Sequence, residues 1–171
     1  MSEEEIYSQY RNTIKSGDLL VWSDNGQSFF SELFLSMVRI FTASDFAHVG
    51  IAVKINNRLF VLEATLPKVQ LIPVSNYDHF YHISMGVDWN VDHEDFLYSK
   101  IGIKYSLFDA IRAYLGIVKL NNDKWQCAEL ATEFYKTAGF NFTDTYTPTK
   151  LVNFILESDT KFKLTKVKRI E

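Results

Sequence analysis

The feature that most constrains this chain is the run "HVGIAVKINNRLFVLEAT", residues 48–65. Two apolar stretches rich in β-branched and aromatic residues flank the pair Asn56-Asn57. Asparagine tolerates positive φ, which a two-residue hairpin turn demands at both positions. The run therefore predicts an antiparallel hairpin. With Asn56-Asn57 as the turn, Ile55 faces Arg58, Val53 faces Phe60 and Gly50 faces Glu63. His48 then falls opposite Thr65.

Side chains alternate between the faces of a strand. His48 and Gly50 thus share a face, and Glu63 and Thr65 project from that same face. His48 and Glu63 become diagonal cross-strand neighbours, about 7–8 Å apart at Cβ, a gap that long polar side chains bridge. Gly50, opposite Glu63, leaves room above it. A four-residue turn keeps this parity and a three-residue turn breaks it. A carboxylate inside the apolar "FVLEAT" needs a partner if it is buried. The imidazole supplies one, and the carboxylate in turn holds its tautomer and favours its charged form.

Around the hairpin the pattern reads as α+β. Residues 3–15 suggest a short polar helix, Gly17-Asp18 a turn and Leu19 to Trp22 a strand. The most apolar segment, "SFFSELFLSMVRIF" at 28–41, reads as a buried helix. It is too short to span a bilayer, which takes about 20 apolar residues; contact with lipid is its alternative use. "VQLIPVS" and "YHISMGVD" read as further strands. Helical spacing then takes over in "VDHEDFLYSKIG", "YSLFDAIRAYLGIV" and "WQCAELATEFYKTAG", the last closed by Gly139. "TPTKLVNFILES" is a helix opened by Thr147-Pro148. The tail "KFKLTKVKRIE" suits a lysine-rich edge strand. No repeat or Pro/Gly-rich linker divides the 171 residues, so one domain is expected, with an aromatic-rich core supplied by 14 Phe and 9 Tyr.

The net charge of −3 offers no electrostatic footprint for nucleic acid. The acidic start "MSEEEIYSQY" lacks the apolar core of a signal peptide. One cysteine precludes an internal disulfide. A cytoplasmic or virion-associated setting is the expectation. That lone cysteine, Cys127, opens a predicted helix. There the macrodipole and free N–H groups favour a thiolate and can receive an oxyanion. Glu129 works slightly against the thiolate. A buried structural cysteine is the bland alternative. The histidines 79, 82 and 93, with Asp88, Asp92 and Glu94, match no standard zinc spacing and are expected to be surface or structural groups.

The ordered segments "GDLLVW", "SDFAHVGIAV", "VLEAT", "GIKYSLFD", "WQCAELATEFYKTAG" and "TPTKLV" resemble the circularly permuted NlpC-type papain-like hydrolases, the YiiX/YebB-like group. The resemblance runs from Gly17 to Val152. Its most specific points are His-Val-Gly-Ile at 48–51 and Cys-Ala-Glu-Leu at 127–130, with Glu-Ala at 63–64 and Gly-x-x-Tyr at 102–105. Ala128 stands where the family commonly has Ser, and residues 77–100 match no part of the pattern. The resemblance implies a papain-like fold and a triad of Cys127 as nucleophile, His48 as base and Glu63 as orienting residue. It implies a substrate-groove or oxyanion contact for Tyr105, and neither metal nor cofactor. The expected substrate is a peptide or a small acyl-containing molecule, most often an amide of the cell-wall peptide type. The alternatives are a thioesterase or acyltransferase of the lecithin:retinol acyltransferase-like kind, and a catalytically silent binding or structural protein. The oligomeric state is not legible.

Overall fold

Asn56 and Asn57 have φ of 46° and 63°, the paired left-handed conformation of a type I′ turn. The hairpin has the expected register: Ile55 pairs with Arg58, Val53 with Phe60 and Ile51 with Leu62. Its arms are β3 (His48–Ile55) and β4 (Arg58–Ala64). The computed structural model describes residues 4–23, 45–105, 125–142 and 147–168.

Among the described residues five more strands extend this hairpin on both sides. They are β1 (Glu4–Ile6), β2 (Leu19–Trp22), β5 (Val69–Pro73), β6 (His79–Ile83) and β7 (Thr165–Lys168). The sheet order is β1-β7-β6-β2-β3-β4-β5. The six strands from β7 to β5 are antiparallel to their neighbours, and β1 joins β7 in parallel. The architecture is α+β.

Alternation sends the central strands' side chains to two cores. Leu19, Val21, Val49, Ile51, Val53 and Leu62 belong to one, and Leu20, Trp22, Ala52, Leu59 and Val61 to the other. Both faces are covered, so β2 is buried at every residue. That accounts for the unbroken apolar run "LLVW", since a strand buried on both sides has no polar face to show.

Among the described residues four helices accompany the sheet: α1 (Tyr7–Tyr10), α2 (Val91–Lys100), α3 (Cys127–Thr137) and α4 (Pro148–Ser158). Asn90 caps α2, its Oδ1 accepting from the N–H of Asp92 at 2.9 Å and of His93 at 3.3 Å. Thr147 Oγ1 caps α4 by accepting from Lys150 N–H at 3.3 Å, with Pro148 in the first turn. Helix α3 stops at Gly139, whose φ of 85° is the left-handed exit expected of that glycine. It lies against β3, and Tyr135 donates its hydroxyl to Gly17 O at 3.0 Å.

Four expectations need correction or fall elsewhere. Residues 3–15 do not form one helix. Glu4–Ile6 is a strand, because the backbone of β7 offers it a partner, and only the single turn Tyr7–Tyr10 is helical. The lysine-rich β7 is a strand but not an edge, since β1 covers its outer side. The apolar helix at 28–41 and the helix at 105–118 lie outside the described residues, save Tyr105.

Candidate active site

His48 opens β3 and Glu63 stands near the end of β4. Pairing of Ile51 with Leu62 carries both side chains to the same face. There His48 Nε2 and Glu63 Oε2 are 2.9 Å apart, with the residues 2% and 1% exposed. Gly50 lies between them along the strand. A Cβ added to it would run into Val61 Cγ2 and come within 3.4 Å of Glu63 Cβ. The missing side chain lets β3 and β4 pack closely here.

A third group completes the anchor. The short 3-10 turn Val74–Asn76 brings Tyr77 back over the sheet, and its hydroxyl donates to Glu63 Oε2 at 2.8 Å. Burial, the charge of Glu63 and that hydrogen bond all raise the Tyr77 pKa, so the phenol stays protonated and remains a donor. Trp22, opposite His48 in the pairing of β2 with β3, closes the other side. Its ring centroid is 5.3 Å from that of His48 and 4.7 Å from that of Tyr77.

Helix α3 delivers the cysteine. Cys127 is its first residue and is 7% exposed. First-turn N–H groups have no acceptor within the helix. The His48 side chain hydrogen-bonds to Cys127 as well as to Glu63. Nε2 is the ring nitrogen that meets Glu63. Burial works against the imidazolium. The charge on Cys127 and its hydrogen bond, then the hydrogen bond and charge of Glu63, outweigh burial and raise His48 from 6.5 to about 10. The arrangement can therefore hold a cationic imidazole between a sulfur and a carboxylate.

The structure thus brings Cys127, His48 and Glu63 together. Tyr105 is buried and forms a parallel bridge with Trp125, two residues before the cysteine; its N–H donates to Pro67 O at 3.0 Å. Tyr77 and Trp22 escaped the sequence reading. Tyr77 lies in the stretch that matched nothing, and no local pattern points from it to Glu63. Trp22 read only as an apolar strand residue.

The other histidines are dispersed. His82 is buried against Asp18, and His93 is buried with its Nδ1 accepting from Asn90 N–H at 3.1 Å. Among the described residues no group of three His, Cys, Asp or Glu side chains is placed to hold a metal ion. No described helix is long and apolar enough to cross a membrane.

No family model matches the chain, and no curated protein matches its sequence. Among solved structures it is similar to the crystal structure of the metalloprotein yiiX from Escherichia coli O157:H7, DUF1105. The TM-score is 0.55 at 17% identity, over 76% of this chain and 69% of that one. The likeness is one of fold, and the α+β fold of this chain is yiiX-like.

Proposed function

We propose that this chain is a cysteine hydrolase on a permuted NlpC-type papain-like fold, with Cys127 as nucleophile, His48 as acid–base and Glu63 as the group that orients His48. The observation that carries the reading is the buried His48–Glu63 pair with Cys127 as a second hydrogen-bond partner of His48. The yiiX-like fold supports it at the level of architecture only.

In this reading the Cys127 thiolate attacks a carbonyl carbon. His48 gives its proton to the leaving group, and water then resolves the acyl-enzyme. Glu63 keeps the His48 ring turned to the sulfur, and Tyr77 keeps Glu63 from rotating. An amide of the cell-wall peptide type is the proposed substrate class. An acyl thioester is the competing substrate in the same assay.

The yiiX structure is described as a metalloprotein. The donors here do not fit a metal centre. His48 pairs with both Cys127 and Glu63, and among the described residues no three His, Cys, Asp or Glu side chains converge on a point.

The direct test is alkylation of Cys127 by iodoacetamide at pH 6. The wild type reacts readily and His48→Ala reacts at least tenfold more slowly, because a cysteine without its imidazolium titrates near pH 8.5. Equal rates would remove the pair from consideration and leave a binding protein on this fold.

A further inference from the structure

The strand register leads outward from His48 along the end of the sheet. Ile51 pairs with Leu62, and Ala64 with Val69. Carried to the strand ends, these registers set Thr65 opposite His48 and Lys68 opposite Thr65. Lys68 in turn forms an antiparallel bridge with Lys104, beyond β5. Directly opposed residues share a face. Lys68 and Lys104 therefore stand on the face of His48 and Glu63, in one row with them. Neighbouring strands are about 4.8 Å apart, which puts Lys68 about 10 Å from His48 at the backbone. Lys104 also meets the cysteine's own segment. Its carbonyl accepts from Trp125 N–H at 3.1 Å, and Trp125 stands two residues before Cys127.

Like charges placed directly opposite each other cost stability. Both lysines are exposed, and neither has an ion pair or side-chain hydrogen bond among the described residues. Nothing else in the row offsets them. Thr65 is neutral, as is Gln70, which faces Glu63. The Glu63 carboxylate is buried and engaged by His48 and Tyr77. Lys100 is a different case, because its Nζ is taken up by rings, 4.4 Å from the centroid of Trp125 and 5.1 Å from that of Phe96. The chain carries a net charge of −3, so this unpaired positive strip runs against its overall sign. A strip of one sign beside a reacting centre concentrates ligands of the other.

We propose that Lys68 and Lys104 form an anion subsite beside Cys127, and that the substrate carries a carboxylate or phosphate about two strand spacings from its reacting carbonyl. The inference rests on the cysteine hydrolase reading and names the kind of substrate that reading leaves open. Two ammonium groups hold such an anion through charge-assisted hydrogen bonds. An anion bridging them also relieves the repulsion across the Lys68–Lys104 bridge.

Two aromatic disulfides that react with Cys127 test it. Dithiobis(nitrobenzoate) carries a carboxylate on each ring, and dithiodipyridine is neutral. In the double variant Lys68→Gln, Lys104→Gln the anionic reagent slows by about fivefold at low ionic strength, while the neutral one stays within about twofold. The gap closes in about 1 M salt, where screening reaches only about 3 Å. Lys163→Gln, which precedes β7 on the far side of the sheet, leaves both rates unchanged. Equal slowing of both reagents in the double variant, or slowing of neither, overturns the proposal. Competition at matched ionic strength names the group: stronger protection of the wild type by glutarate assigns a carboxylate, and stronger protection by glycerol phosphate a phosphoester. Protection by neither overturns the proposal. His48→Ala keeps the two readings apart. If dithiodipyridine reacts as fast with it as with the wild type at pH 6, the nucleophile reading fails, while a lysine-dependent preference for the anionic reagent still upholds the subsite.

Discussion

Two buried histidines in this molecule have nearly the same surroundings and different prospects. His48 Nε2 is 2.9 Å from Glu63 Oε2, and His82 Nε2 is 2.9 Å from Asp18 Oδ2. A tyrosine attends each pair. Tyr77 donates to Glu63, while Tyr10 Oη and His82 Nδ1 are 3.0 Å apart. The difference lies at the ends of the two lines. Asp18 also accepts from the N–H of Lys15 at 2.8 Å and of Met85 at 2.9 Å, so its carboxylate fixes its own turn and ties it to the end of β6. The His82 line closes on a phenol. The His48 line ends on the sulfur of Cys127, at a helix N-terminus. A histidine–carboxylate pair is a positioning device, and the ring's other partner decides whether it serves structure or chemistry.

Mutations that treat the pairs alike should break this symmetry. The largest effect is expected at the sulfur line: Cys127→Ala abolishes acylation by p-nitrophenyl acetate, and His48→Ala slows it by at least about 10²-fold. Single-turnover kinetics measure both, and His82→Gln should leave the acylation rate within a few-fold of wild type. A strong loss in His82→Gln with an intact fold would erase the distinction.

Next comes stability. Asp18→Ala strands a buried imidazole and two backbone donors and should cost about 3–5 kcal/mol, read from urea unfolding. Acylation by the folded fraction should persist.

The pH response sharpens the contrast further. The His48 pKa is raised from 6.5 to about 10. Its contribution to stability is therefore full below pH 6.5 and fades as pH climbs toward about 10. Imidazole NMR should show His48 still cationic at neutral pH, and Cys127→Ala should lower its midpoint, since the sulfur is the first of the groups that raise it. A midpoint near 6.5 in the wild type would contradict the paired arrangement.

The smallest effects belong to the tyrosines. Tyr77→Phe and Tyr10→Phe each remove one hydrogen bond, worth about 1 kcal/mol. Tyr77→Phe should also depress acylation several-fold by freeing Glu63, whereas Tyr10→Phe should affect unfolding alone.

Much of this site was legible before any coordinates. The turn at Asn56-Asn57 sets a register, and strand parity does the rest for His48 and Glu63. Cys127 at a helix start was equally local, written in the apolar spacing of "CAELATEFY" and closed by Gly139. Its meeting with His48 was not. It came only from resemblance, because no periodicity reports which helix packs against which strand.

What the sequence alone determined is what neighbours along the chain can enforce: turns, caps, strand faces and the pairing of β3 with β4. The tertiary structure decided the rest. It placed Tyr77 on Glu63, His82 on Asp18 and β1 outside β7. Those contacts join segments distant in sequence. Burial forces each polar group in them to find a partner, and only the packed chain determines which partner is within reach.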